Sequence, residues 1–466
     1  MKFGGTSMGS AERMKIAANI CRQQKALHPV VIVVSAMSKV TDLLVDTLRH
    51  AEGGDRAGVD ANIGILRKRH DDTCRELLPA AEQAEAMAGV HALIAEFQRI
   101  TGGVLLLGER PVRSVDEAIA MGERLSALLM AAYLNAEGVA ANAMNAAELI
   151  VTDAVFGNAT PLMEPTRNKA RAQIMPLLAY GILPVVTGFN GATADGRPTT
   201  LGRGGSDFSA SILAAALDAA ELWIWTDVDG IMTADPRLVK DAAVLSEVTY
   251  SEAAELAYNG AKVLHPRTLA PLVHRQIPVW SKNSFNLAAP GTKIVTSISA
   301  PGGARAVTSM ANVALVSVEP ASAEISGTRV MARALDALSM VNAEVLTFSS
   351  SSYRQSFCFL VRKDELSAVT KCLEDGLSLE LAHGYLKPIE VDENVGLLAV
   401  VGEGMRGAAG LAGRIFTAVS REKVNIIAIA QGSSELTINI VVRRDDVEKA
   451  VQAIHEECKM AALAVV

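Results

Sequence analysis

The sequence predicts an α/β protein in two parts: a parallel sheet covered by helices on both faces, then two smaller ferredoxin-like modules. Two observations support this fold class. Up to about residue 295, apolar strand-like runs alternate with helical patterns, an order typical of a parallel-rich sheet between helices. After a linker of small residues at 297–304, a second pattern of strands and helices occurs twice in succession.

Four apolar runs supply the expected strands of the first part. They lie at 30–35, 182–188, 221–227 and 277–281. Continuous apolar runs of this kind are typical of strands buried on both faces. Helical patterns occur at 118–136, at 251–257 and across the charged stretch at 50–110. Because ligands of such sheets bind beyond the carboxyl ends of the strands, we expect the functional residues there.

The second part repeats one order of elements. Its first copy has strands at 313–319, 344–348 and 356–361 with helices at 325–341 and 365–373; its second has strands at 395–401, 425–430 and 436–441 with helices at 410–423 and 446–458. Successive βαββαβ units are ferredoxin-like modules. We therefore expect domains at 1–296, 305–390 and 391–466. The order of elements also fits two generic α+β units without a shared role.

Composition and charge restrict the class of protein. The 466 residues are enough for two to four domains, and a net charge of −7 without a basic patch argues against a nucleic-acid partner. Five scattered cysteines without a CxxC pair predict neither a disulfide framework nor a zinc site, so no metal ligands are assigned. Apolar runs such as 30–34 are too short to span a bilayer. We expect a cytoplasmic protein with no membrane partner.

A glycine-rich segment is the clearest local signal. Residues 188–205 contain six glycines, and Arg203 and Asp207 lie at its end, where a helix begins. Glycine lets the backbone approach a ligand closely, and the first N–H groups of a helix attract anions. The segment therefore predicts a floor for phosphate and an anionic substrate. A long surface loop followed by a capped helix is the alternative.

Hydroxyl groups occur at the start of the chain and after the strand at 30–35. Lys2 precedes a Gly-Gly-Thr-Ser segment, which suits the anchoring of a transferred phosphoryl group by one charge and nearby backbone donors. The same residues also fit a charged terminal residue and a tight turn. Ser35 and Thr41 follow the strand at 30–35, where hydroxyls can hold a substrate carboxylate or cap a helix.

Charged residues at three further positions have two interpretations each. Glu123 lies in a helical stretch beside Arg124 and either meets an ammonium group or forms a solvated pair. Asp227 ends the strand at 221–227 and either contacts a nucleotide with its Mg²⁺ or belongs to an ordinary turn. Lys262 lies where a helix meets a proline-terminated turn and either neutralises ATP phosphates or is simply exposed.

The sequence contains no Ser/His/Asp or Cys/His catalytic set. Phosphorylation of a carboxylate needs no general base, because that nucleophile is already ionised near neutral pH. The requirement is electrostatic, since an anion must approach a polyanion. Lysine and arginine side chains, glycine N–H groups and Mg²⁺ can satisfy that requirement. This chain carries such lysines, arginines and glycines at the ends of its predicted strands.

In combination, the motifs of this chain resemble those of the aspartate kinases. The matching segments are 2–7, 35–42, 122–124, 200–207, 225–230 and 261–267, and they occur in the family's order along the whole chain. The resemblance implies the amino-acid-kinase (carbamate-kinase-like) fold, two C-terminal ACT domains, and formation of 4-phospho-L-aspartate from ATP and L-aspartate in the biosynthesis of lysine, threonine and methionine. Another amino-acid kinase, or a regulatory amino-acid-binding subunit with an inactive kinase domain, is the alternative.

The resemblance also implies roles for individual residues. The catalytic residues would be Lys2, Arg203 and Asp207. L-Aspartate would be bound by Ser35, Thr41, Glu123 and Arg203. ATP, carrying Mg²⁺, would be bound by Gly4, Gly5, Thr6, Ser7, Thr226, Asp227, Met232, Arg237 and Lys262.

This chain departs from the family pattern at two places. Met232 stands where relatives usually have a tyrosine, so a thioether would replace an aromatic contact to the nucleotide. Only Met1 precedes Lys2, whereas relatives carry several residues there, so we expect a short first strand and a fraying Lys2. We also expect added upstream strand residues to raise turnover.

The ACT-like pair implies feedback inhibition by an amino acid. The segment 429–435 resembles the threonine-sensitive branch of the family, which includes kinases fused to homoserine dehydrogenase. Threonine is therefore the first expected effector and lysine the second. Because no dehydrogenase half follows residue 466, we expect a monofunctional kinase that forms a homodimer or tetramer through its ACT-like modules.

Overall fold

The computed structural model describes residues 1–261, 264–298, 303–321, 325–352, 355–458 and 460. The chain divides into two units, each described below by itself. The first comprises residues 1–231 and 264–296, and the second comprises residues 232–263 and 297–466. The predicted linker lies partly outside the described residues, and the predicted domain boundaries remain predictions.

A parallel sheet forms the centre of the first unit. Its strands are β1 (Lys2–Phe3), β2 (Ile32–Val34), β3 (Ala141–Met144), β5 (Leu183–Thr187), β8 (Leu222–Thr226), β10 (Val279–Asn283) and β11 (Thr292–Val295). They lie in the order β3-β5-β2-β1-β8-β10-β11, and every pair is parallel except β10 with β11. The four strands predicted from apolar runs are thereby confirmed, as is the parallel-rich fold class.

The shortest strand lies in the middle of this sheet. Lys2 and Phe3 of β1 pair with β2 on one side and with β8 on the other. Phe3 is fully buried and stacks on Trp225 of β8, with ring centroids 6.1 Å apart. The expectation of a fraying Lys2 is therefore wrong, because pairing on both sides and a buried neighbour hold a strand of only two residues in place.

Helices cover the sheet. They are α1 (Ala11–Lys25), α2 (Val40–Glu52), α3 (Arg56–Leu77), α4 (Ala80–Leu107), α5 (Val112–Ile119), α6 (Met121–Ala136), α7 (Met163–Ala179), α8 (Gly205–Leu217) and α10 (Pro266–Val273). The charged stretch at 50–110 is helical, as predicted. The pattern at 118–136 is divided at Ala120, where α5 ends and α6 begins.

Helix α4 is long and apolar enough to cross a membrane by length and composition alone. The stretch at 50–110 was predicted to be helical, but no helix of membrane-spanning length was predicted within it, because only uninterrupted apolar runs were compared with the thickness of a bilayer. Its buried residues include Val90, Ile94, Phe97 and Val104, spaced three, four and seven apart, as in a helix with one face in a core. This buried stripe belongs to the main hydrophobic cluster of the first unit, so the length of α4 is weak evidence for a membrane span.

A small second sheet positions the glycine-rich segment. Its strands are β4 (Val151–Thr152), β6 (Asn190–Thr193) and β7 (Pro198–Thr200), in the order β4-β6-β7. Strands β6 and β7 form an antiparallel hairpin, and α8 begins five residues after β7 ends. Strand β7 and helix α8 therefore lie at the two ends of the short segment that carries Arg203.

The second unit contains one six-stranded sheet with helices. Its elements are β9 (Glu247–Thr249), α9 (Tyr250–Tyr258), β12 (Ala306–Val318), α11 (Gly327–Met340), β13 (Thr347–Ser350), β14 (Phe357–Arg362), α12 (Leu366–Gly376), α13 (Ser378–Ala382), β15 (Glu390–Val401), α14 (Leu411–Arg421), β16 (Ile426–Gln431), β17 (Thr437–Arg443) and α15 (Val447–Glu457). The sheet order is β13-β14-β12-β15-β17-β16. The strand predicted at 344–348 begins later, at Thr347, because the Glu344 N–H donates to the Glu365 carboxylate.

The two predicted modules are fused through their long strands. The start of β12 pairs with the end of β15, and the end of β12 pairs with the start of β15. Each of these strands therefore contributes to both repeats, and register shifts near Val313 mark the change from one repeat to the other. Residues 390 and 391, the predicted module boundary, both lie inside β15. The sequence pattern indicated the repeats but not the shared strands, because each half-strand has the length of an ordinary strand.

Segment 232–263 belongs to the second unit and packs against the rest of that unit through apolar and ionic contacts. Ala234 and Val239 are buried in the same cluster as Leu398 and Ile454. Glu252 is 1% exposed and accepts hydrogen bonds from Arg305 Nη1 at 3.1 Å, Thr249 N at 2.9 Å and Glu403 N at 2.8 Å. One carboxylate thus joins α9 to the ACT-like sheet.

We expect Glu252→Ala to destabilise the second unit by about 3–5 kcal/mol, because it leaves the buried Arg305 guanidinium without its ionic partner. Chemical denaturation followed by circular dichroism measures the change. Glu422→Gln, which alters an exposed carboxylate of the same unit, is the control. Equal free energies of unfolding for the two variants would contradict this account of the pair.

Candidate active site

The carboxyl ends of the parallel strands carry most of the residues singled out in the sequence. The Gly4–Gly5 turn follows β1, and Thr226 ends the neighbouring strand β8. A Cβ atom on Gly5 would lie 3.1 Å from the Ala36 carbonyl oxygen, closer than nearly all real Cβ contacts. The second glycine therefore lets the first turn lie directly against the loop after β2, which carries Ser35.

Glycines shape the loop that carries Arg203. Gly202 and Gly204 have φ values of 75° and 67°, in the left-handed region that side chains disfavour. A Cβ on Gly205 would come within 2.6 Å of the Phe189 ring, and one on Gly188 within 2.7 Å of Ser206 Cβ. The glycines thus allow the start of α8 to pack against the β5–β6 turn and bring Asp207 to the edge of the main sheet.

A cavity of about 810 Å³ lies at this edge within the first unit. Seven of the predicted site residues line it: Lys2, Gly5, Ser35, Thr41, Glu123, Arg203 and Asp207. All the residues predicted to bind substrate, and all those predicted to be catalytic, are among them. The structure thus brings together side chains that are up to about two hundred positions apart in the sequence.

The other predicted residues do not line this cavity. In the first unit, Thr6 is exposed, the Ser7 hydroxyl lies 2.7 Å from the Ser284 hydroxyl, and Thr226 donates to the Asp227 carboxylate at 3.3 Å. Gly4 donates its N–H to the Trp225 carbonyl at 3.2 Å. These residues nevertheless lie at or just after the carboxyl ends of β1 and β8, two adjacent parallel strands.

The remaining nucleotide-binding predictions fall in the second unit or outside the described residues. Met232 forms an isolated bridge with Val244. Arg237 is largely exposed and pairs with the Asp235 carboxylate of its own turn at 2.5 Å. Lys262 lies outside the described residues. The roles of all three in nucleotide binding remain predictions.

Lys2 and Asp207 form an ion pair at the edge of the cavity. Lys2 Nζ lies 2.6 Å from Asp207 Oδ1, and the two side chains are 10% and 20% exposed. Lys2 comes from β1 and Asp207 from the first turn of α8, so the pair joins the main sheet to the helix behind the glycine-rich loop. The Asp207 carboxylate balances the charge of Lys2.

Glu123 is a buried carboxyl group with an unsatisfied oxygen. Its side chain is 3% exposed, and Oε2 has no hydrogen-bond partner among the described residues. Burial raises the pKa of Glu123 to about 8, while hydrogen bonds from backbone N–H groups and the charge of Lys2 act in the opposite direction. Native proteins rarely leave such a group unpaired, and carboxyl groups with strongly shifted pKa values are concentrated at functional sites.

Sequence reasoning missed several residues of the cavity. Lys39 has a φ of 65°, unusual for a residue other than glycine, and Phe189 has a φ of 72°. Both line the cavity, as does Asp116, which is buried in α5, the helix that precedes the helix of Glu123. Lys39 and Phe189 lie inside motifs that the sequence analysis quoted, but their backbone geometry has no local sequence signal. No group of three or more His, Cys, Asp or Glu side chains in the described part of the chain is placed to hold a metal.

We expect the Glu123 carboxyl to make folding stability depend on pH. Because its pKa is higher in the folded state than in an unfolded chain, the folded state binds a proton more tightly, and its stability falls as pH rises from about 4.5 to about 8. Glu123→Gln should reduce the slope of the free energy of unfolding against pH by up to roughly 1.4 kcal/mol per pH unit. Urea denaturation at several pH values measures it. Glu12→Gln, in the exposed first turn of α1, is the control, and identical pH profiles for both variants would refute the assignment.

Comparisons with known proteins agree with this architecture. The model of the amino acid kinase family matches residues 1–283, and an ACT domain model matches residues 398–458. The crystal structure of Escherichia coli aspartokinase III in complex with aspartate and ADP, described as the R-state, superimposes with a TM-score of 0.82 at 30% identity, covering 98% of each chain. The structure of Clostridium acetobutylicum aspartate kinase gives a TM-score of 0.78 at 27% identity, covering 98% of this chain and 99% of that one.

Curated relatives fall into two groups. Bifunctional aspartokinase/homoserine dehydrogenase 1 of Arabidopsis thaliana is 36% identical over 97% of this chain, and the chain spans half of its length. Lysine-sensitive aspartokinase 3 of Escherichia coli is 31% identical, with 97% of both chains covered. Similarity along the full length of this bacterial enzyme, together with the family match over residues 1–283, shows that the chain belongs to the aspartokinases of the amino acid kinase family.

Proposed function

We propose that this chain is an aspartate kinase, which transfers a phosphoryl group from ATP to L-aspartate and forms ADP and 4-phospho-L-aspartate. This is the first step of the biosynthesis of lysine, threonine and methionine from aspartate. A similar solved aspartokinase from Escherichia coli was crystallised with aspartate and ADP, which supports the choice of both substrates.

The observation that carries the proposal is the set of charges around one cavity. Lys2 and Arg203 supply positive charge, and the unpaired Glu123 carboxyl supplies a partner for an ammonium group. A small amino acid with a side-chain carboxylate has the complementary groups. Ser35 and Thr41 add hydroxyl donors for a carboxylate. The proposal leaves open which of the two aspartate carboxylates Arg203 binds.

The chemistry needs no general base. The aspartate side-chain carboxylate is ionised near neutral pH and attacks the γ-phosphorus of ATP, while the bond to the β,γ-bridging oxygen breaks and ADP leaves. Lys2 would move from Asp207 to the transferring phosphoryl group and balance its charge. Mg²⁺ would arrive bound to the phosphates of ATP and neutralise part of their charge.

Glu123 would exchange a proton when substrate binds. Burial keeps its carboxyl largely neutral near pH 7 in the free protein. An ammonium group at hydrogen-bond distance favours the carboxylate, so binding of aspartate would release a proton from Glu123. The ammonium would also satisfy the oxygen that now has no partner.

The nucleotide site extends this proposal. Gly4, Gly5, Thr6, Ser7, Thr226 and Asp227 would contact ATP, and Met232, Arg237 and Lys262 keep their predicted roles in nucleotide binding. The location of the first set at the ends of two parallel strands supports their assignment, because nucleotides bind at that edge in α/β sheets. We also propose that the protein is located in the cytoplasm.

A hydroxylamine trap for acyl phosphate tests the activity directly. We expect ATP-dependent product with aspartate and none with glutamate or acetylglutamate. Lys2→Ala should lower kcat by roughly 100-fold or more, because a charge on the transferring group is lost. Lys68→Ala, an exposed lysine on α3, should leave kcat unchanged. If only glutamate or acetylglutamate gives product, that acceptor replaces aspartate as the proposed substrate. If aspartate, glutamate and acetylglutamate all give no product, a regulatory subunit is favoured.

Feedback inhibition is the second part of the proposal. The segment at 429–435 and the ACT domain match favour an amino-acid effector, threonine first and lysine second, acting on a homodimer or tetramer. We expect threonine to inhibit the kinase with a coupling free energy of about 1–3 kcal/mol. Initial rates at increasing threonine or lysine, with sedimentation velocity on the same samples, test this. Insensitivity to both amino acids, or a monomer at assay concentration, would contradict it.

A further inference from the structure

Asp116 is a buried carboxylate that none of the assigned roles uses. It lies in α5, is 1% exposed and lines the same cavity as Arg203. Taking an isolated carboxylate out of water is costly unless hydrogen bonds replace the lost hydration. The partners of Asp116 therefore indicate why a charge is kept at this position.

Both oxygens of Asp116 hold the loops that form one wall of the cavity. Oδ2 accepts the backbone N–H groups of Gly157 at 2.8 Å and Thr200 at 3.0 Å. Oδ1 accepts the Thr200 hydroxyl at 2.7 Å. Thr200 ends β7 and lies three residues before Arg203, so Asp116 holds the base of the loop that carries this arginine.

A second charged residue holds the same two segments by their carbonyl groups. Arg267 of α10 donates to the Ala159 carbonyl at 3.2 Å, to the Leu201 carbonyl at 3.4 Å and to the Asn158 side chain. The Ala159 N–H also donates to the Thr200 carbonyl at 2.8 Å. Because these bonds remain when Asp116 is altered, its loss should displace the loop slightly rather than unfold it.

The geometry of the next residues makes Arg203 sensitive to such a displacement. Leu201 N–H donates to the Phe189 carbonyl at 2.9 Å, and Gly202 and Gly204 on either side of Arg203 have left-handed backbones. Left-handed glycines have a wide conformational range, so the loop depends on its fixed ends. Asp116 holds the end of this loop that adjoins β7.

We propose that Asp116 is a positioning residue that holds the Thr200–Gly204 loop so that Arg203 meets the substrate carboxylate. The inference rests on the proposed function, because it takes Arg203 as the group that binds aspartate. A small error in the placement of a binding group weakens binding strongly, since the hydrogen bonds are directional. The expected signature is a loss of affinity for aspartate with little change for ATP.

The test compares three variants with the unaltered chain. Asp116→Ala removes all three acceptor contacts, Asp116→Asn keeps one oxygen acceptor, and Thr200→Val removes only the hydroxyl. We expect Asp116→Ala to raise KM for aspartate tenfold or more, with KM for ATP within twofold, and the other two variants to fall between it and the unaltered chain. Glu117→Gln, the neighbouring carboxylate on α5, is the matched control and should leave both constants unchanged.

Amide hydrogen exchange gives a readout that does not depend on activity. The amides of Gly157 and Thr200 should exchange at least tenfold faster in Asp116→Ala, and faster in Asp116→Asn, than in the control. Unchanged exchange together with unchanged KM for aspartate in Asp116→Asn and Thr200→Val would overturn the proposal. Equal increases in KM for aspartate and ATP with a lowered Tm would also overturn it, because they indicate general destabilisation. If the unaltered chain does not phosphorylate aspartate, the proposed function fails while the exchange data still test the contacts.

Discussion

Pairing of a two-residue strand on both sides is the constraint on which the candidate site depends. Lys2 and Phe3 lie between β2 and β8, and the buried Phe3 ring stacks on Trp225. This arrangement directs the lysine to the edge of the sheet where the loops after β2 and β7 also meet. Without it, Lys2 would not be held beside α8, and Asp207 would lack its ionic partner.

The cavity limits the cost of its own charged groups. Lys2 is neutralised by Asp207, and Glu123 avoids the cost of a buried charge because its carboxyl is largely protonated near pH 7. Each group thereby remains compatible with a folded, partly desolvated site. A ligand that carries both signs of charge has groups that complement Lys2 and Glu123.

The sequence allowed the fold class and much of the candidate site to be predicted, for identifiable reasons. The apolar runs of β2, β5, β8 and β10 have the length and composition of buried parallel strands, and the end of β2 places Ser35 among the expected functional groups. Contacts between distant segments left no such signal. Asp116 looks like any acidic residue in a helix, and its role becomes visible only when Gly157 and Thr200 are brought to it. The resemblance implied that one repeat can be interleaved with the other, but the shared strands β12 and β15 were not predicted, since their pairing is a property of the sheet as a whole.

The fused sheet of the second unit has a consequence for how its repeats can be altered. The first half of β15 completes the repeat that begins with the second half of β12, while the other halves of both strands serve the second repeat. Neither repeat can therefore be exchanged alone without changing the strand pairing of the other. A chimaera that exchanged residues 305–390 alone would pair a foreign β12 with the native β15 along the whole of their common ladder, whereas exchange of the 306–457 block would keep that ladder intact.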